Sequence, residues 1–152
     1  MKTLILTLLA IAAAAIAADK PDFSGTWKMD PDKSLFGPVP PPTSMTRVID
    51  HKDPDLSLHQ TSTGPEGDQN MAFKYSTDGK ETTNSYMGNE VKSIANWDGK
   101  ALVIHSNLDV GGQQVKLTEK WTLSDDGKTC TDVLNISSVQ GDLDITYIFV
   151  RQ

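Results

Sequence analysis

Apolar and polar residues alternate along most of this chain with a period of two. The first such segment places Phe23, Gly25, Trp27 and Met29 on one face, and the last places every second residue from Leu143 to Arg151 on one face. Comparable alternation runs through residues 56–58, 71–75, 91–97, 102–108 and 115–123. Because successive side chains of a strand point to opposite faces, the pattern predicts β-strands with one apolar face each.

Eight turn signals divide the chain after Met45 into nine predicted strands. They lie at residues 53–55, 64–67, 78–79, 88–89, 98–99, 111–112, 126–127 and 141–142. Asp-Gly pairs are strong hairpin signals because glycine accepts the positive φ that a tight turn needs. With a first strand at 23–29, we predict an all-β protein, a single up-and-down antiparallel β-barrel of about ten strands. A two-sheet sandwich is the alternative.

Two segments outside this alternation have their own signatures. A signal peptide cleaved after Ala17 is predicted by Lys2, by the apolar run Leu4–Ile16 and by the small-x-small pattern at residues 15–17. The run is shorter than the ~20 residues of a spanning helix, which disfavours a membrane anchor. Residues 30–44 contain five prolines and predict an irregular connection, because proline lacks a backbone donor. Residues 18–152 would then form one exported domain, periplasmic or extracellular.

The amino-acid composition limits the classes of molecule that this chain is expected to bind. Cys130 is the only cysteine, so an internal disulfide is impossible, and the formal charge is −6 with acidic and basic residues interspersed. The absence of a basic cluster argues against nucleic acid and anionic membranes as partners. We expect a monomer without stable membrane insertion.

The segment Phe23-Ser24-Gly25-Thr26-Trp27-Lys28 resembles the first strand of the calycins, the superfamily of lipocalins and fatty-acid-binding proteins. The chain is also similar to small exported bacterial lipocalin-like proteins of unknown function. In lipocalins the tryptophan of Gly-x-Trp packs against an Arg or Lys of the last strand. The resemblance therefore implies that Trp27 and Arg151 close one end of the barrel.

Three features depart from these families. The connection at 30–44 is too short and proline-rich for the helical lid of fatty-acid-binding proteins. Their inward arginines, which hold a fatty-acid carboxylate, have no clear counterpart, since Arg47 and Arg151 are the only arginines and Arg151 is assigned to barrel closure. The lipocalin Thr-Asp-Tyr motif is absent.

Five residues on apolar faces are candidate ligand contacts: Tyr75, Trp97, Glu119, Trp121 and Tyr147. The aromatics suit an apolar pocket with polar handles, although core filling is the favoured interpretation of each one taken alone. Glu119 lies between Leu117 and Trp121, so it either anchors a ligand or is turned outward at the mouth or by a bulge. Ten strands also enclose more room than an eight-stranded barrel.

Catalytic chemistry has little support in the sequence. His51, His59 and His105 lie on separate strands without metal-binding spacing, so we expect no metal and no cofactor. Glu119 with Asp132 is the best acid–base pair. We therefore expect a binder of a small apolar or amphipathic molecule, not an enzyme. A filled-barrel interaction or envelope module and an enzyme using Glu119 are the alternatives.

Overall fold

The computed structural model describes residues 19–152, and the predicted signal peptide at 1–17 lies outside them. Ten strands follow one another: β1 Gly25–Met29, β2 Ser44–Lys52, β3 Asp55–Gly64, β4 Gly67–Ser76, β5 Glu81–Tyr86, β6 Asn89–Asp98, β7 Ala101–Val110, β8 Gln113–Leu123, β9 Thr129–Ser138 and β10 Gly141–Arg151. The predicted all-β fold with ten strands is confirmed. Within residues 19–152, no helix is long and apolar enough to cross a bilayer.

The strands form one antiparallel sheet in the order β4-β3-β2-β1-β10-β9-β8-β7-β6-β5. Pairing of β1 with β10 brings the two ends of the domain together, and Trp27 is the Cα partner of Arg151. The edge strands β4 and β5 meet at a seam. There Asn84 accepts a hydrogen bond from the Lys74 backbone N–H (2.7 Å) and donates one to its carbonyl (3.0 Å). The result is a nearly closed barrel.

Seven of the eight predicted turn signals lie at the connections between consecutive strands, whereas Gly141-Asp142 lies at the start of β10. The last turn is centred on Val139 and Gln140, just before the predicted Gly141. Gly79 shows why glycine is required at these tips. Its φ is +84°, and a Cβ there would lie 2.7 Å from Oδ1 of Asn96.

The proline-rich connection between β1 and β2 is irregular, as its sequence predicts, and packs along β10. Leu35 and Thr146 exchange two backbone hydrogen bonds of 2.8 Å, and the ring of Phe36 meets that of Tyr147 edge-on at 5.8 Å. At its far end Thr43 N–H donates to the Thr63 carbonyl of β3 (2.7 Å). The connection therefore ties β10 to β3.

The Gly-x-Trp segment closes one end of the barrel. The guanidinium carbon of Arg151 lies 4.2 Å from the Trp27 ring centroid, and Arg151 donates to the carbonyls of Ser24 and Gly127. Gly25 has a φ of +131°, which other residues rarely adopt, and a Cβ there would lie 2.7 Å from Nη1 of Arg151, so a larger residue would be strained and would displace that arginine. Trp27 also donates from Nε1 to the Phe23 carbonyl at 2.9 Å.

Large aromatic side chains fill this closed end. Phe23, Trp27, Trp121 and Phe149 are at most 1 % exposed. The Phe23 ring stacks on Trp97 at 6.1 Å and meets Trp121 edge-on at 5.8 Å. Burying each such side chain contributes roughly 1.5–3 kcal/mol, so this cluster is the main apolar anchor of the fold.

Candidate functional site

The other half of the barrel encloses a cavity of about 410 Å³. Its apolar walls include Met45, Leu58, Met71, Phe73, Val91, Leu108, Val115, Leu117, Leu134, Ile136 and Ile145. These are mostly aliphatic, whereas the inward positions at the closed end carry tryptophan and phenylalanine. The smaller side chains leave space unfilled. Both the volume and the lining fall within the range of small-molecule pockets.

Arg47 reaches into the barrel from β2 and lines the floor of this cavity. Its Nε donates to Oε1 of Gln60 (2.7 Å) and its Nη1 donates to Oδ2 of Asp132 (2.8 Å). Burial opposes its charge, but Asp132 and Glu119 outweigh that effect and raise the pKa of Arg47. Arg47 is thus an inward arginine, a placement that the sequence analysis did not predict. The available signal was its position between Met45 and Ile49, on the apolar face of the strand.

Aromatic rings surround the same guanidinium. Its central carbon lies 4.4 Å from the ring centroid of Phe149, 5.3 Å from that of Trp121 and 5.8 Å from that of Tyr147. Cations over aromatic faces are attracted by the ring quadrupole, most strongly when desolvated. These rings and the two hydrogen bonds fix the orientation of Arg47.

Two carboxyl groups face Arg47 from β8 and β9. Oε2 of Glu119 accepts a hydrogen bond from Trp121 Nε1 (3.0 Å) and lies 3.9 Å from Nη2 of Arg47. Asp132 has no exposed surface, and within residues 19–152 its Oδ1 has no hydrogen-bond partner. Burial first, and then the charge of Glu119, raise the pKa of Asp132 to about 7, with Arg47 opposing both. Asp132 is therefore partly protonated near neutral pH.

Two tyrosines complete the polar lining. Tyr75 on β4 and Tyr147 on β10 both border the cavity. Burial is the main cause that raises the pKa of each hydroxyl above its ordinary value. Both hydroxyls are therefore protonated at neutral pH and can donate a hydrogen bond to a molecule in the cavity.

The structure separates the five predicted ligand contacts into two groups. Tyr75, Glu119 and Tyr147 line the cavity, and β8 pairs in continuous register with both neighbours, so no bulge turns Glu119 outward. Trp121 is fully buried beneath Arg47 and does not line it. Trp97 does not line it either.

Trp97 lies at the closed end of the barrel instead. Its ring stacks on Phe23, and its Nε1 donates to Oδ1 of Asp53 at 3.1 Å. The prediction that it lines a pocket is corrected, because alternation along β6 gives the inward face but not the height within the barrel.

The three histidines lie in different parts of the barrel. His51 is buried at the closed end, where its Nδ1 accepts the Phe23 backbone N–H (3.3 Å), whereas His59 and His105 are exposed on the outer surface. Within residues 19–152, no three His, Cys, Asp or Glu side chains are grouped to hold a metal ion.

The fold is that of the calycin barrels, as the Gly-x-Trp segment implies. No protein-family model and no curated protein matches the sequence. Solved structures match over most of the chain at low identity, which is evidence for the fold alone.

Three solved structures illustrate the likeness. Zebrafish ileal bile acid-binding protein, complexed with cholic acid, has a TM-score of 0.61 and 16 % identity, covering 86 % of this chain and 98 % of that one. A secretory abundant heat soluble protein from Ramazzottius varieornatus has a TM-score of 0.60 and 12 % identity, covering 86 % and 95 %. The Schistosoma mansoni fatty acid binding protein with arachidonic acid has a TM-score of 0.51 and 13 % identity, covering 86 % and 96 %.

Proposed function

We propose that this chain is an exported barrel protein that binds one small apolar or amphipathic molecule inside its cavity. The cavity of about 410 Å³, apolar on its walls and polar at its floor, is the observation that supports this most. Burial of apolar ligand surface contributes roughly 25 cal/mol per Å², and the floor fixes orientation. Cholic acid and arachidonic acid in two proteins of the same fold are consistent with such a ligand.

The cavity also helps to choose between a binding protein and the two alternatives, a filled-barrel module and an enzyme. A filled-barrel interaction or envelope module would pack its interior throughout, whereas here only the closed end is packed with aromatic side chains. An enzyme using Glu119 and Asp132 would need substrate atoms at both carboxyls. Asp132 has no exposed surface and is bound to Arg47, so we favour a binding protein over an enzyme.

Titration with phenylnaphthylamine, an uncharged apolar dye, tests the proposal. We expect saturable fluorescence enhancement at one site per chain. Leu117→Trp fills the cavity and should abolish it, whereas Lys116→Trp places the same ring on the outer face of β8 and should leave it unchanged. Equal binding by both variants would place the dye outside the barrel. As a separate measurement, native mass spectrometry of gently purified protein would give the mass of any natural ligand.

Export is tested separately. When the full chain is expressed in an exporting bacterium, we expect the purified protein to have the mass of residues 18–152 and to elute as a monomer. A protein of full-length mass that remains in the cytoplasm would contradict the proposed export without affecting the binding site.

A further inference from the structure

Two carboxyl groups and one cation lie at the floor of the cavity or directly beneath it. Among the described residues that line the cavity, Arg47 is the only cation. It faces two carboxyls, Asp132 at 2.8 Å and Glu119 at 3.9 Å. The hydrogen bonds from its Nε and Nη1 are already made, to Gln60 and Asp132. Arg47 is therefore neutralised before any ligand arrives.

Glu119, in contrast, keeps unused hydrogen-bond acceptor positions among residues 19–152. A carboxylate offers about four lone-pair positions. Glu119 receives one hydrogen bond, from Trp121, and its side chain is still 15 % exposed. Gln60 and Ser106 also border the cavity. A molecule entering the cavity thus meets an accepting carboxylate at its floor.

We infer that the ligand ends in a group that donates hydrogen bonds and carries no negative charge, an ammonium or a hydroxyl, and that Glu119 receives it. This rests on the proposed binding function. A ligand carboxylate would place a third acid beside Glu119 and Asp132, where low polarity strengthens repulsion. An ammonium would instead favour the ionised form of Asp132, so that two carboxylates would be balanced by two cations. The inferred ligand thus differs from the fatty-acid carboxylate held by the arginines of fatty-acid-binding proteins.

Three probes with the same alkyl chain separate the possibilities: dodecylamine, dodecanol and dodecanoate. Each probe is titrated, at low micromolar concentration, against phenylnaphthylamine bound to the mature protein. Since a hydrogen bond to a charged group changes affinity by roughly ten- to hundredfold, we expect the amine to bind that much more tightly than dodecanoate. Dodecanol should also bind more tightly than dodecanoate.

A matched pair of variants assigns the preference to Glu119. Glu119→Gln removes the charge but keeps an oxygen that can accept from Trp121, so folding should persist. We expect the amine-over-carboxylate ratio to fall at least about tenfold. Glu90→Gln makes the same change on the exposed outer face of β6 and should leave the ratio unchanged. A far-ultraviolet circular dichroism spectrum of Glu119→Gln that matches the unsubstituted protein would show that the barrel itself is intact.

The outcomes distinguish this inference from the proposal beneath it. If dodecanoate binds most tightly, or if Glu119→Gln leaves the ratio unchanged, the head-group inference is overturned and the binding function stands. If neither the dye nor any probe binds, the binding function fails and the inference fails with it. Tighter binding of the amine and the alcohol, reduced by Glu119→Gln alone, supports both.

Discussion

Replacing Arg47 with methionine removes the cation from the cavity floor and keeps a side chain of similar length. Glu119 and Asp132 are then left facing each other without a counter-charge. Removing one partner of a buried ion pair costs about 3–5 kcal/mol, because the remaining charge is both desolvated and unpaired. Against a total stability of about 5–15 kcal/mol, such a loss is easily measured.

The pH dependence gives the sharper test. The folded-state pKa of Asp132 is already raised from 3.8 to about 7, and loss of Arg47, which lowers it, raises it further. A carboxyl with a raised folded pKa contributes stability that is present at low pH and is lost as pH rises through the folded pKa. The loss in free energy of unfolding caused by Arg47→Met should therefore be smallest near about pH 5 and largest near about pH 8.

Urea unfolding followed by tryptophan fluorescence measures both effects. Adding Asp132→Asn to Arg47→Met removes one of the two carboxyl groups left without a counter-charge. The double variant should regain more than half of the free energy of unfolding that Arg47→Met loses. The double-mutant cycle should give a coupling energy of about 1–3 kcal/mol. A loss below about 1 kcal/mol for Arg47→Met, or the same loss at both pH values, would refute a buried charge cluster.

Further predictions concern the closed end of the barrel. Trp27→Ala should lower the free energy of unfolding by about 3–5 kcal/mol in urea, because the ring is fully buried; a loss below about 1 kcal/mol would contradict its role in closure. Gly25→Ala should lower the melting temperature well below that of Gly99→Ala, since only the first Cβ meets Arg151. Burial raises the pKa of the Cys130 thiol to about 12, so iodoacetamide should modify it, by mass spectrometry, only after unfolding.

The strands and hairpins could be predicted because alternation and turn chemistry are local properties of the sequence. The same parity placed Tyr75, Glu119 and Tyr147 on the inner face. The height of a residue along the barrel is not a local property of the sequence. It depends on the register of strands distant in sequence, so Trp97 and Trp121 were predicted at the pocket, yet they lie at the closed end and beneath the cavity floor.

The cluster of Arg47, Glu119 and Asp132 also depends on contacts between strands that are distant in sequence. Arg47 and Asp132 are 85 residues apart, and their contact requires the closure of β1 on β10. The sequence does place Arg47 on an apolar face, but no local pattern pairs it with Asp132. Sequence reasoning therefore identified both carboxyl groups of the site and missed the cation that they face.

The seam between β4 and β5 has a consequence for how copies of this protein behave at high concentration. An uncovered sheet edge is a template on which another chain can add a strand, the first step of aggregation. At Lys74 both edge positions, the N–H and the carbonyl, are already occupied by the amide of Asn84. A single side chain thus mimics the peptide group of a neighbouring strand, and it denies an incoming molecule the hydrogen bonds with which edge-to-edge assembly would begin.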